Sequence, residues 1–187
     1  MHSSTNRVYF GIDRKIVAFR QHNEHKVLQR IIDELQTLET AGLVSDAGTP
    51  GISDPRFLLV RECTKNEIEV ECLPGATAFV PALVQSGFPC HSFIYDGFLP
   101  HKKGRQTKWK EIAVSERTVV IYESPHRILK ALEEAKEFLP DGRQLAVCQE
   151  ISKIYHETKR GTATELLEHF TNHPAKGEIV IVVSGVA

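Results

Sequence analysis

Apolar residues along this chain follow two spacings in turn, one typical of strands and one typical of helices. Runs of strand length lie at Lys15–Arg20, Gly42–Ser45, Ile68–Leu73, Phe93–Phe98, Thr118–Glu123, Gln144–Glu150 and Glu178–Gly185, with a further candidate at Tyr155–Arg160. Helical spacing follows at Val27–Leu38, from Asp54 past Val60, at Ala78–Gln85, from about Arg105, from Ser124 to Phe138, and after Thr162. This alternation predicts an α/β fold in which helices cover a sheet.

Residues that favour helix amino ends stand where most of these helices are predicted to begin. The predicted caps are Asp54 with Pro55 as first helical residue, Thr77, Ser124 with Pro125, and Thr162 with Glu165 in a capping box. Gly87 and Pro89 interrupt the pattern before a second series of strands and helices. We therefore predict two lobes, residues 1–88 and residues 89–187.

Composition excludes several classes of protein. The 187 residues are 41% hydrophobic, which is ordinary for a globular chain. No apolar run approaches the roughly 20 residues that span a bilayer, and the start "MHSSTNR" does not resemble a signal peptide, so the predicted location is the cytoplasm and no membrane partner is expected. The four cysteines form no C-x-x-C pair and are interpreted as free, mostly buried thiols. The nine histidines have no metal-ligand spacing, so no metal site is predicted.

Charge is uneven along the chain although the net charge is only −1. The segment His101–Lys110, "HKKGRQTKWK", holds five Lys or Arg residues and a tryptophan without any acid. Such a segment is either a solvated loop that enters a helix or a surface that contacts RNA, since basic side chains beside an aromatic suit phosphate contact and base stacking.

Three strand-to-helix turns are rich in small residues: "SDAGTP", "PGATA" and "YESPHR". Glycine lets a ligand approach the backbone, and helix amino ends offer free N–H groups, although a single turn of this kind is usually only a connection. Neither a P-loop nor a G-x-S-x-G motif is present. Glu123 and Glu150 follow strands and could face one cleft, and the simpler alternative for Glu150 is a surface ion pair with Lys153.

The motifs "LVSDAGTPGISDP", "PGATA", "GFLPHKKGR", "YESPHR" and "EISKIYHE", in this order, resemble the ribosomal RNA small subunit methyltransferase I family. That family belongs to the tetrapyrrole-methylase-like, class III S-adenosylmethionine-dependent methyltransferases. The resemblance implies a two-lobed α/β fold, S-adenosylmethionine as cofactor, and methylation of the ribose 2′-oxygen of a cytidine in the decoding region of small-subunit (16S) rRNA. It also implies a homodimer whose partner is the small ribosomal subunit.

The resemblance assigns candidate roles to individual residues. It implies that two turns bind the cofactor, namely Ser45, Asp46, Ala47, Gly48 and Thr49, and Pro74, Gly75, Ala76, Thr77 and Ala78. It implies that the basic loop meets RNA, with His101, Lys102, Lys103, Arg105 and Arg127 as candidate contacts. Glu123, Glu150 and Lys153 are the candidates for a catalytic base.

Three departures from the family pattern accompany this resemblance. Arg56 replaces a glycine, and Gln149 replaces an arginine before Glu150. The chain is also expected to lack the family's first strand, its "P-I-G-N-L" turn and its "E-D-T-R" segment, so that the first lobe is truncated. Two alternatives stay open: methylation of a tetrapyrrole or other small molecule, which the basic segment disfavours, and a non-catalytic remnant that binds RNA or a partner.

Overall fold

The computed structural model describes residues 16–19, 24–54 and 56–186. The chain divides into two compact units between Thr77 and Ala78. The predicted division was between residues 88 and 89. The helix that follows Thr77 packs on the sheet of the C-terminal unit and is part of that unit.

The C-terminal unit is built on a five-stranded sheet. Its strands are β1 (Phe93–Phe98), β2 (Thr118–Glu123), β3 (Gln144–Gln149), β4 (Glu157–Thr162) and β5 (Ile179–Val183), in the spatial order β1-β2-β5-β3-β4. Strands β1 and β2 are parallel, and β5 lies antiparallel between β2 and β3. The carboxyl ends of β1, β2 and β3 therefore lie at one edge of the sheet.

Helices cover both faces of this sheet. Its helices are α3 (Phe79–Ser86), α4 (Arg105–Ala113), α5 (Ile128–Phe138) and α6 (Ala163–Asn172). Alternate residues of β2, β3 and β5 pack against α4, α5 and α6 on one side, and the intervening residues pack against α3 on the other. Burial on both faces explains why these strands are almost continuously apolar.

The N-terminal unit contains two described helices, α1 (Glu24–Leu35) and α2 (Phe57–Lys65). They share a small core made by Phe19, Ile32, Leu59 and Cys63. No strand is assigned to the described residues of this unit, so the strands predicted at Lys15–Arg20, Gly42–Ser45 and Ile68–Leu73 are wrong where described. A short apolar segment has strand geometry only when a neighbouring strand satisfies its backbone groups, and sequence pattern does not report that neighbour.

The predicted strands of the C-terminal unit are confirmed, with β4 beginning two residues late, at Glu157 rather than Tyr155. The capping box at Thr162 and Glu165 is also confirmed. Thr77 does not cap α3, which begins after Ala78 without a side-chain cap. Ser124 accepts a hydrogen bond from the backbone of His126, yet α5 begins only after Arg127. Pro55 lies outside the described residues.

Candidate functional site

Glu123 and Glu150 follow two strands that flank β5 at the same sheet edge. Glu123 at the end of β2 and Gln149 at the end of β3 are both in register with Ile179, the first residue of β5. The backbone N–H of Glu150 donates to the carbonyl of Glu178 at 3.0 Å, which extends this pairing by one step. The two residues therefore follow strands that end at the same edge of the sheet, and whether they face one cleft stays a prediction.

The Glu123 carboxylate is buried and fully paired. Its Oε1 accepts from Arg127 Nη2 at 2.7 Å and from the Ser124 backbone N–H at 2.8 Å. Its Oε2 accepts from Arg105 Nη2 at 3.2 Å. Two guanidinium groups and a backbone N–H already occupy both of its oxygens, so neither oxygen is open to a substrate hydroxyl. The structure argues against Glu123 as the catalytic base.

The Arg105 side chain is buried, although the basic segment around it in the sequence indicated an exposed residue. It is only 4% exposed, and its Nε donates to Glu134 Oε2 at 2.6 Å. Its Nη1 donates to the carbonyl of Pro100 at 3.3 Å. The prediction that Arg105 contacts RNA is therefore corrected, since a buried guanidinium that already has these partners cannot reach a phosphate.

The basic loop, His101–Gly104, lies directly before α4 and is exposed. Arg127 joins it to the sheet edge by donating from Nη1 to His101 Nδ1 at 2.8 Å, in addition to its bond with Glu123. An open depression of about 400 Å³ adjoins the loop, and it is lined by His101, Lys102, Lys103, Gly104, Arg105, Gln106, Thr107, Lys130 and Glu134. Lys102 and Lys103 remain exposed on this surface.

Glu150 and Lys153 form an ion pair, which was predicted as the simpler alternative to a position of Glu150 in a cleft. Lys153 Nζ lies 2.9 Å from Glu150 Oε1 and 3.2 Å from Glu178 Oε2. Hydrogen bonds from Lys153 and from the Glu178 backbone hold the pKa of Glu150 below its ordinary value, and the Glu150 carboxylate raises the pKa of Lys153. Both shifts favour the charged forms, so neither residue is well placed to act as a general base near neutral pH.

The backbone around Glu150 is strained in a way that the sequence pattern did not indicate. Glu150 and Ser152 have φ of 50° and 65°, values that non-glycine residues seldom adopt. A Cβ added at Gly177 would lie 1.7 Å from Glu150 Oε1, so the carboxylate occupies the space that glycine leaves open. Glycine at this position is the only sequence signal of that close contact.

The two predicted cofactor turns are in contact through residues of the N-terminal unit. Thr49 Oγ1 donates to the carbonyl of Ala76 at 3.2 Å, and Gly48, with φ of 68°, faces the same carbonyl. Ser45 Oγ closes the first turn by donating to the carbonyl of Gly48 at 2.6 Å. Near Gly75 the closest atom to an added Cβ is 3.8 Å away, so the backbone of this turn is open.

Among the described parts of the chain, no helix is long and apolar enough to cross a membrane. Across those same residues, no group of three or more His, Cys, Asp or Glu side chains is arranged to hold a metal ion.

Comparison with known families assigns the chain. The model of the tetrapyrrole (corrin/porphyrin) methylases matches residues 4–167. The chain belongs to this family. The expected tetrapyrrole-methylase-like fold and family resemblance are thereby confirmed.

Relatives within the tetrapyrrole methylase family place the chain among the ribosomal RNA small subunit methyltransferase I proteins. It is 40% identical over 178 residues to that protein of Synechocystis sp., covering 95% of this chain and 64% of the relative. Identity to the Thermotoga maritima protein is 37% over 176 residues, covering 94% of this chain and 79% of the relative. The chain thus spans less than two thirds of the Synechocystis protein.

Solved structures of tetrapyrrole methylases share the fold at low sequence identity. The methyltransferase CobJ superposes with a TM-score of 0.64 at 18% identity, covering 94% of this chain and 74% of that one. Uroporphyrin-III C-methyltransferase from Thermus thermophilus, complexed with S-adenosylhomocysteine, gives a TM-score of 0.61 at 13% identity, covering 90% of this chain and 75% of that one.

The two departures from the ribosomal RNA methyltransferase pattern have local partners in the structure. The Arg56 guanidinium pairs with the Asp54 carboxylate, and its backbone N–H donates to Asp54 Oδ1 at 2.9 Å, just before α2. Gln149 donates to Glu157 Oε2 at 2.7 Å and accepts from the Lys176 backbone N–H at 3.0 Å. Gln149 therefore bonds β3 to β4 and to the segment before β5.

Proposed function

We propose that this protein transfers a methyl group from S-adenosylmethionine to the ribose 2′-oxygen of a cytidine in the decoding region of small-subunit rRNA. The proposal rests on membership of a family whose similar members are named ribosomal RNA small subunit methyltransferase I. The observation that carries it is the contact between the two glycine turns, Thr49 Oγ1 to the Ala76 carbonyl at 3.2 Å.

The residues at these turns suit the cofactor. S-adenosylmethionine presents an ammonium, a carboxylate, ribose hydroxyls and an adenine, so its site needs exposed backbone groups and at least one acid. Asp46 is exposed beside Gly48, and Gly75 leaves its backbone open, which together offer such groups on one surface. When bound, the cofactor supplies a methyl group activated by the positive sulfur.

The substrate proposal rests on the basic loop. Lys102 and Lys103 are exposed, and the loop that carries them is fixed to the sheet edge through Arg105 and Arg127. A small substrate does not need an exposed basic strip, whereas an RNA backbone is attracted by it. A tetrapyrrole substrate is accordingly the less favoured alternative.

The main contribution to catalysis that we assign to the protein is the positioning of the reacting atoms. The candidate bases Glu123, Glu150 and Lys153 are all engaged in ion pairs, so none is proposed to remove the hydroxyl proton. That proton passes to solvent water as the O–C bond forms and the C–S bond breaks, with S-adenosylhomocysteine as the leaving group. Holding the 2′-oxygen in line with the methyl carbon and sulfur can supply roughly 7 to 11 kcal/mol of barrier lowering by itself. As part of this proposal, the protein acts in the cytoplasm, where ribosomal subunits are found, and it forms a homodimer.

The first test is calorimetric titration of S-adenosylmethionine into the wild type and two glycine variants. Gly75→Val should weaken binding by about tenfold or more, because its side chain fills space through which the ligand reaches the backbone. Gly42→Val is the matched control, since an added Cβ there meets nothing within 4 Å and Gly42 lies outside both turns. Equal affinity in all three proteins would remove the turns from the site, and methylation of small-subunit RNA with labelled cofactor then tests the reaction itself.

A further inference from the structure

The Glu134 carboxylate on α5 accepts hydrogen bonds from two side chains of α4. Its Oε2 accepts from Arg105 Nε at 2.6 Å and from Trp109 Nε1 at 2.9 Å. Arg105 and Trp109 are 4% and 0% exposed, so both donors are committed to this carboxylate in a region from which water is largely excluded. Charge-assisted hydrogen bonds of this kind are stronger than neutral ones.

Arg105 in turn closes the basic loop. Its Nη1 donates to the carbonyl of Pro100, the residue before the loop, and its own backbone N–H donates to the carbonyl of Lys102 at 3.2 Å. The Arg105 guanidinium therefore connects the start of the loop to its end, and Glu134 holds that guanidinium through its Nε. A change at Glu134 is transmitted to the loop through Arg105.

We propose that Glu134 is a positioning residue for RNA binding, one that fixes the basic loop so that Lys102 and Lys103 present their ammonium groups to the RNA phosphates. This inference rests on the proposed function, since it assumes that the loop meets RNA. A preformed loop loses less conformational entropy on binding than a mobile one, which is the source of the affinity gain.

The sign of the effect separates this proposal from simple electrostatics. Removing a negative charge near a basic surface should strengthen RNA binding, because long-range repulsion is reduced. Removing the same charge at Glu134 should weaken binding, because the loop loses its anchor. Glu133 is the matched control: it is the neighbouring residue of α5, carries the same charge and is exposed.

The experiment measures the affinity of a decoding-region RNA fragment for wild type, Glu134→Gln, Glu133→Gln and the double variant Lys102→Gln/Lys103→Gln. We expect Glu134→Gln to bind about tenfold more weakly and Glu133→Gln to bind equally or slightly more tightly. Trp109 is the sole tryptophan and shares Glu134 Oε2 with Arg105, so its emission reports on the anchor directly. Because the anchor is already formed in the wild type, RNA should shift Trp109 emission little there and shift it more in Glu134→Gln, where binding orders the loop.

Each outcome decides a different statement. If the double lysine variant binds RNA as the wild type does, the proposed RNA surface fails and the inference fails with it. If the double variant loses affinity while Glu134→Gln behaves like Glu133→Gln, only the positioning role is overturned. Should Glu134→Gln not fold, Arg105→Lys keeps the charge but cannot hold Pro100, Glu123 and Glu134 together; unchanged RNA affinity in that variant also overturns the proposal.

Discussion

Lys102 and Lys103 are the two exposed lysines of the basic loop, and replacing both with glutamine tests how many RNA phosphates the loop contacts. Arg105, another candidate contact that the resemblance implied, is removed by the structure because that side chain is 4% exposed and bonded to Glu123 and Glu134. The expected effect is therefore that of two lost contacts.

The magnitude follows from counterion release. Each phosphate that a protein neutralises on a single strand contributes about 0.7 to the slope of log affinity against log salt. Losing two contacts should flatten that slope by about 1.4, so that between about 50 and about 200 mM KCl the wild type loses roughly sevenfold more affinity than the variant.

The assay is fluorescence anisotropy of a labelled decoding-region RNA at several KCl concentrations. The control is Lys136→Gln/Lys159→Gln, which removes two exposed positive charges from α5 and β4 and leaves the loop intact. This control should change the slope little. An unchanged slope in Lys102→Gln/Lys103→Gln, or an equal flattening in the control, would refute the reasoning that the loop makes direct phosphate contacts.

Two further predictions concern the stability of the C-terminal unit. In urea unfolding, Gly177→Ala should lower the free energy of unfolding more than Gly142→Ala does. Both positions have positive φ, which costs about 1–2 kcal/mol for alanine. Only at Gly177 would the added Cβ also clash with a carboxylate oxygen, 1.7 Å away. Equal losses would show that this carboxylate moves aside freely. Glu165→Gln should lower the thermal midpoint at neutral pH but not in acid, because hydrogen bonds from Thr162 lower the pKa of Glu165. Because the pKa of Glu165 is lower in the folded protein, its stabilising effect is complete above the pKa of the unfolded chain, about 4.3, and is lost as pH falls through the pKa of the folded protein. A difference in thermal midpoint between wild type and Glu165→Gln that persists in acid would contradict this role.

The C-terminal unit could be predicted well because its pattern is set by burial. Strand β5 is apolar throughout and β2 is apolar at Val119–Ile121, since each is covered on both faces, and such runs are typical of the central strands of a layered α/β fold. The capping box at Thr162 was equally predictable, because both of its hydrogen bonds form within four consecutive residues.

The N-terminal unit was predicted less well because the structure of its segments depends on distant partners rather than on local pattern. Its segments Gly42–Ser45 and Ile68–Leu73 have strand-like sequences but no strand partner among the described residues. Strand geometry depends on that partner more than on local preference. The contact between the two turns was not predicted, because residues 49 and 76 are distant in sequence and the bond that joins them runs from a single hydroxyl to a carbonyl.

The basic segment shows why a count of charges cannot assign roles to residues. Arg105 and Lys102 look equivalent in sequence, yet one is buried among carboxylates and the other is exposed. The difference depends on Glu123 and Glu134, which reach Arg105 from β2 and α5 and are invisible to any local pattern.

The same arrangement explains how a loop with adjacent lysines is held in one shape. Lys102 and Lys103 repel each other, and ordering a loop costs about 1–2 kcal/mol per residue in backbone entropy, so an isolated loop of this composition would not stay ordered. Arg105 offsets that cost with bonds to the Pro100 carbonyl and to two carboxylates on the neighbouring elements. The acids at this sheet edge are then best understood as the anchor of the cationic surface: Glu123 and Glu134 place positive charge where an RNA backbone can meet it, and their own negative charge is neutralised by the residues that they hold.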